Sequence, residues 1–371
     1  MNKHPIYRCC CILVLFCSAC KTNSGTQRLL QYNNSGKAVT HISNSAGWQQ
    51  KRLQLLDSLQ AAMGKLPGFS NLPGFDLQTS DSLRRDGYTR YTINFMVAPD
   101  ERLWAYLYIP HTSAAGQPLP AMLALHETDA AGKESVDGQG LHPNLAYAKE
   151  LAARGYIVLA PDYPGFGDMK WYDFNHHRYQ SGTMKSIFDN MRCVDLLLTR
   201  ADVDPARIGI IGHSLGGHSA LFAAAFDTRL KVVVSSCGWT LFNTYNIGKE
   251  AAKIYGGRLG PWAQPRYMPL LRSKYKLNPA AIPFNFDEVL AAIAPRACFS
   301  SAPLKDGNFA VKGVKKGIKN AAAVYHLLNA DKQLQCIYPD TGHDFPQAAR
   351  DTAYHFIDEA LQHHPVTNSF N

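Results

Sequence analysis

The sequence predicts an α/β fold: a mostly parallel sheet with helices on both faces and an inserted cap region. Three observations carry this expectation. From residue 119 onward, short apolar runs alternate with longer segments of helical periodicity, the pattern of repeated β–α units. The runs end in turn residues such as Pro161-Asp162. The alternation breaks once, over residues 239–285, which are rich in Tyr, Trp, Pro and Gly.

Taken in order, the elements begin with a leader. Lys3 and Arg8 give a basic start, and residues 9–19 are an apolar run of secretory length, too short to span a membrane. It closes on Cys17-Ser18-Ala19-Cys20, which resembles a bacterial lipobox with Cys17 where leucine is usual. Residues 1–19 are therefore expected to be a signal peptide, and Cys20 the lipid-attachment site. Residues 20–47 would be a polar tether, and the protein exported and lipid-anchored to a bacterial cell membrane, in the outer membrane or periplasm. An ordinary cleaved signal peptide is the alternative.

A single domain is expected over residues 48–363. Leu53, Leu55, Leu56 and Leu59 predict an amphipathic helix over 53–63. Residues 88–97 and 103–109 are rich in aromatic and β-branched residues around the turn Pro99-Asp100-Glu101, which predicts a hairpin at the sheet edge. Strands follow at 119–125, 156–160, 208–211, 232–236, 296–301 and 335–338. Helices fall at 143–154, 184–200, 312–328 and 346–362.

Composition limits the function classes. The net charge is +9, and such a surplus could favour an anionic substrate or anionic lipid heads. The cations are scattered, apart from Lys312, Lys315, Lys316 and Lys319, whose helical spacing reads as a solvated face. No nucleic-acid motif is present, so no nucleic-acid partner is expected. Of nine cysteines, five lie between Cys9 and Cys20. The spacing of Cys193, Cys237, Cys298 and Cys336 matches no zinc pattern. Cys298 and Cys336 fall on neighbouring predicted strands; a disulfide and two buried thiols both remain open. His176-His177 with Asp173 lacks a matching ligand set, so no metal is expected.

The chemistry concentrates at Gly212-His213-Ser214-Leu215-Gly216. This G-x-S-x-G lies between an apolar strand and an Ala- and Leu-rich helix, the context of a nucleophile elbow. Serine is a weak nucleophile and needs a base, which an acid must orient. In chain order the base candidate is His343, in the turn Pro339-Asp340-Thr341-Gly342-His343-Asp344-Phe345. The acid candidate is Asp306, the only carboxylate in the loop after the strand ending at Ser301. Asp340 and Asp344 adjoin His343, but sequence neighbours usually point apart. The loop at Cys237-Gly238-Trp239 offers no acid. Leu215 should supply one oxyanion amide and Glu127 the other, with Thr128 close behind. The side chains of His126, His213 and His218 read as packing or loop-anchoring groups. Trp239, Phe242, Tyr245, Tyr255, Trp262, Tyr267 and Tyr275 could line a binding wall or simply pack a cap, and Trp171 and Tyr172 could contribute to the wall.

The chain resembles the dienelactone hydrolase and acetyl-xylan-esterase-like branch of the α/β-hydrolases. The resemblance runs from Leu119 to about Leu361. It rests on Leu125-His126-Glu127-Thr128 with Gly132-Lys133, on Ala160-Pro161-Asp162-Tyr163-Pro164-Gly165-Phe166-Gly167, on residues 212–217, on residues 303–306, and on Gly342-His343-Asp344-Phe345-Pro346. It implies an α/β-hydrolase fold and a serine hydrolase acting on small-molecule or saccharide esters, with no cofactor. Dienelactone hydrolases use cysteine where this chain has Ser214, which turns the expectation toward ordinary ester cleavage. A prolyl-oligopeptidase-type serine peptidase and a non-catalytic binding lipoprotein remain as alternatives. Acyl group, leaving alcohol and oligomeric state stay open.

Overall fold

The computed structural model describes residues 25–32, 39–111, 116–176 and 178–365. The expected signal peptide and Cys20 lie outside them. The chain opens with helix α1 (Gly25–Leu29), a two-strand ribbon of β1 (Gln31–Tyr32) and β2 (Thr40–His41), and helix α2 (Ser45–Met63). The described part of residues 20–47 is thus not a free tether. Leu29 and Ile42 are fully buried, the Ile42 amide donates to the Leu30 carbonyl, and Arg28 pairs with Asp287 at 3.1 Å. Apolar side chains and one cation facing a carboxylate give this segment enough to dock. Helix α2 starts eight residues before the expected point, because the Asn44 side chain caps it by accepting from the Gly47 amide.

Three antiparallel strands follow: β3 (Gln78–Arg85), β4 (Tyr88–Ala98) and β5 (Glu101–Pro110). The hairpin expected at the edge is β4–β5, but β3 takes the edge position. Its polar, largely exposed side chains suit an unpaired rim and gave no apolar alternation to read. Then β6 (Leu119–Leu125), α3 (Tyr147–Ala153), β7 (Ile157–Pro161), α4 (Gly182–Leu198), β8 (Val203–His213), α5 (Leu215–Phe226) and β9 (Leu230–Ser236) build the alternating unit. Short helices α6 (Lys249–Ile254) and α7 (Leu270–Ser273) lie in the insertion. Helix α8 (Phe286–Ile293), β10 (Ala297–Ser301), α9 (Val311–Leu327), β11 (Leu334–Ile337) and α10 (Gln347–Ala360) complete the fold.

The sheet order is β11-β10-β9-β8-β6-β7-β5-β4-β3. Strands β11 through β7 in that order run parallel, and β5, β4 and β3 run antiparallel. Alternate residues face two separate cores. Leu123, Leu125, Ile208, Ile210 and Val233 pack under α4, α5 and α8, whereas Met122, Ala124, Ile211, Val232 and Val234 pack under α3 and α10. Every residue of α5 except Phe226 is buried, so this helix is enclosed on all sides, with His218 and Ser219 its only polar side chains. Cys298 and Cys336 sit on paired strands, but both thiols are free, as are Cys193 and Cys237. The four lysines of α9 are exposed. Among the described residues no helix is long and apolar enough to cross a membrane.

Candidate active site

Parallel strands all end at one edge of the sheet, and the chemistry gathers there. Strand β8 runs into Ser214, which has φ 51° and ψ −114° and leads directly into α5. Holding a non-glycine residue in this region is strained and requires tight surroundings. Two glycines supply them. A Cβ on Gly212 would collide with the Gly216 backbone, and one on Gly216 would collide with the Leu125 carbonyl at the end of β6. The Ser214 amide donates to the Ser236 carbonyl at 2.8 Å, which ties the turn to β9.

His343 Nε2 lies 2.9 Å from Ser214 Oγ, and His343 Nδ1 lies 2.8 Å from Asp306 Oδ2. An ionised carboxylate only accepts, so Nδ1 carries the proton and Nε2 accepts from the serine hydroxyl. Burial alone would raise the Asp306 carboxyl. The hydrogen bond and charge of His343, with the Phe309 and Asn308 amides, hold it below its ordinary value instead. The acid and base loops are zipped together: the Leu304 amide donates to the Pro339 carbonyl and the Lys305 amide to the Thr341 carbonyl. Neighbouring acids are engaged elsewhere. Asp340 pairs with Lys305 at 2.8 Å, and Asp344 accepts from Asn144 Nδ2.

The loop after β6 faces the serine. His126 is buried with its Nδ1 2.6 Å from the Glu127 carbonyl, and its Nε2 accepts from the Tyr163 amide at 2.8 Å. Both ring nitrogens are thus engaged and burial lowers its pKa, so the ring is a neutral anchor for the loop. Among the described residues, neither the Glu127 nor the Thr128 amide meets an acceptor. The Leu215 amide opens α5 and is one of the helix's four orphan donors. Behind this loop, Lys133 Nζ lies 2.7 Å from Asp162 and 2.6 Å from Asp168, and Asp162 also accepts from the Lys133 and Asp168 amides. This buried knot joins the two glycine-bearing loops that the sequence set apart.

A cavity of about 320 Å³ opens over Ser214. Glu127, Thr128, Leu215 and His343 form its floor. Tyr245, Tyr255, Trp262 and Tyr267 of the insertion form its roof. Trp239 and Phe242 are core residues, and Tyr275 donates to the Ala61 carbonyl on α2, so the insertion both lines the site and packs a cap. Trp171 and Tyr172 line a different cavity. Four wall residues went unread in the sequence, Pro261, Gln264, Asn308 and Phe309, and His218, read there as a packing group, also lines the cavity. Phe309 stacks on His343 with centroids 5.7 Å apart, and its amide helps close the turn on Asp306 that Asp-Gly-Asn-Phe could have signalled. His218 meets Trp262 at 4.7 Å, and burial pushes its pKa down to about 3. His213 sits beneath, 5.0 Å from the His343 ring, with burial lowering its pKa well below the usual range.

Among the described residues, one group could hold a metal: Cys237, Asp306 and His343, with ligand atoms within 4.8 Å of one another. The last two already bond to each other, and burial raises the Cys237 thiol well above its ordinary pKa. His176 Nδ1 lies 2.7 Å from Asp173, and both are exposed; His177 lies outside the described residues.

Comparison with known proteins identifies the fold and the family. The chain is 28% identical over 275 residues to YtaP of Bacillus subtilis (strain 168), named as a hydrolase, covering 70% of this chain and 84% of that one. Among solved structures, a glucuronoyl esterase from Solibacter usitatus superposes with TM-score 0.66 at 17% identity, covering 91% of this chain and 97% of that chain. An acetyl xylan esterase from Paenibacillus sp. R4 gives 0.53 at 16% identity, covering 86% and 96%. The chain thus shares its fold with these two proteins. Residues 140–355, more than half the chain and spanning Ser214, Asp306 and His343, match the model of the alpha/beta hydrolase family, and the chain belongs to that family.

Proposed function

We propose that this hydrolase cleaves carboxylic esters through an acyl-enzyme. Ser214 Oγ attacks the carbonyl carbon as His343 Nε2 takes its proton. The resulting imidazolium is stabilised by Asp306, and His343 returns the proton to the departing alcohol. Water, deprotonated by His343, then attacks the acyl-serine, and His343 returns that proton to Ser214 Oγ as the acid leaves. The Leu215 amide and the Glu127 or Thr128 amide stabilise the oxyanion. The carrying observation is the Asp306–His343–Ser214 chain of contacts at 2.8 and 2.9 Å. A fluorophosphonate probe tests it directly. Labelling that is lost in Ser214→Ala is expected, and no labelling of the folded wild-type protein would leave only a non-catalytic binding module.

We further propose a saccharide ester as the substrate. In support, the cavity roof is aromatic, no Lys or Arg among the described residues lines it, and the solved structures of similar fold include esterases named for glucuronoyl and acetyl xylan substrates. A panel of acetylated sugars, aryl esters and aminoacyl-naphthylamides tests this; preference for the naphthylamides would point to the peptidase reading instead. The leader residues support export with a lipid on Cys20. Loss of radiolabelled palmitate from Cys20→Ala, against retention in the unaltered chain, would bear on that.

A further inference from the structure

A second cavity, of about 290 Å³, lies beside the exposed indole of Trp171. The proposed chemistry does not use it. Trp171 is 86% exposed, the most exposed large hydrophobic residue among those described. Trp104 and Tyr172 add two further aromatic walls. The Lys170 ammonium lies 5.7 Å over the Trp171 ring, and most of the indole is left open beside the cavity, where an aromatic wall suits a binding surface.

The polar lining says what kind of ligand fits. Asp100, Glu101 and Asp168 offer carboxylates there, and Arg102 and Lys185 offer cations. Most of these charges are already matched: Glu101 with Lys185 and Arg178, Asp168 with Lys133, and Arg102 with Asp76. With three carboxylates to two cations, and Asp100 unmatched among the described residues, the rim gives an anionic ligand little to gain. It does present acceptors and donors to hydroxyl groups. Aromatic faces stack on the apolar C–H face of a pyranose ring, while its equatorial hydroxyls bond to the rim. A volume of about 290 Å³ suits a ligand of sugar size.

Position ties this cavity to the candidate active site. The Asp162 amide at the end of β7 donates to the Trp104 carbonyl, so the start of β5 lies at the sheet edge that carries Ser214. From β8 to β5 is three strand spacings in the order β8-β6-β7-β5, or roughly 14 Å at about 4.8 Å each. One loop serves both places. Phe166 packs with Tyr163, Leu215 and Tyr267 at the catalytic cavity, and Trp171 five residues later edges the second one.

We propose that the Trp171 cavity binds a sugar unit of a neutral polysaccharide whose esterified unit occupies the Ser214 cavity. This rests on the saccharide-ester reading above. Native electrophoresis of the full chain in gels containing xylan provides the test, with xylohexaose quenching of tryptophan fluorescence as a second readout. The wild type should be retarded, Trp171→Ala should lose that retardation at least tenfold, and Trp171→Phe should recover most of it. Hydrolysis of p-nitrophenyl acetate should be the same in all three. Equal retardation of wild type and Trp171→Ala would overturn the proposal. So would no retardation or quenching of the wild type, loss of p-nitrophenyl acetate activity in Trp171→Ala, or quenching by tetramethylammonium in place of the sugar. Failure of the esterase reading would show separately, as absent p-nitrophenyl acetate hydrolysis by the wild type.

Discussion

The floor and the roof of the cavity over Ser214 are held by different means. The floor is locked through backbone: Gly212 against Gly216, Gly216 against the Leu125 carbonyl, and the Ser214 amide on the Ser236 carbonyl. The roof is held chiefly by rings. Trp262 meets Tyr245 at 5.6 Å, Phe286 at 5.5 Å and Phe242 at 5.9 Å, and Phe242 meets Phe284 at 5.4 Å. Backbone contacts tolerate almost no displacement, whereas packed rings accept changes of shape at modest cost. Groups that move protons belong on the first kind of support, and groups that select a substrate can sit on the second.

Substitutions on the two sides should therefore fail differently. The largest effect is expected from Ser214→Ala or His343→Ala, each lowering kcat on a p-nitrophenyl ester by on the order of 10⁶ with an unchanged far-UV spectrum. Residual activity above a percent would mean that the floor carries other chemistry. Asp306→Asn should cost about 10⁴ through the wrong imidazole tautomer; a larger loss from Asp340→Asn would move the acid to the neighbouring turn. Lys133→Met leaves Asp162 buried without its cation, which should lower stability by about 3–5 kcal/mol in urea unfolding. It should also reduce kcat, because the loop carrying Glu127 loses its brace.

His218 stands at the seam between floor and roof. Its ring stays neutral down to about pH 3 in the fold but protonates near 6.5 when unfolded. The unfolded chain therefore binds more protons between those values, and stability is full above 6.5 and falls as pH drops through the interval. His218→Gln should remove that slope, a relative gain of roughly 2 kcal/mol at pH 5, visible as a crossing of the two Tm-against-pH curves. The smallest effect is expected on the roof. Trp262→Leu should raise KM about tenfold and leave kcat within a few-fold, the mark of binding lost equally in ground and transition states. A kcat loss as large as that of Lys133→Met would erase the distinction between the two walls.

The floor was also the more legible side. Ser214, His343 and Asp306 stand out because the chemistry demands those residue types in that order after strands whose apolar runs are plain. What escaped depends on contacts between distant segments or on weak local signals. The zipper between the loops at 304–305 and 339–341 is made of backbone groups, which no side chain announces. Strand β3 is too polar to alternate. Helix α8 could have been read from its capping box, Asn285 with Glu288, but it follows the aromatic insertion and was obscured by it. Which rings of that insertion would face the cavity was beyond periodicity, because residues 239–285 have little regular structure.

The docking of α1 sets a distance. If Cys20 carries a lipid, only the stretch from residue 20 to residue 25 separates the bilayer from a helix fastened through Leu29 and Arg28. Five residues, fully extended, reach at most about 18 Å. A leash that short would keep the domain riding on the membrane surface with one side turned outward. It would fish only in the layer of polymer that presses against the cell.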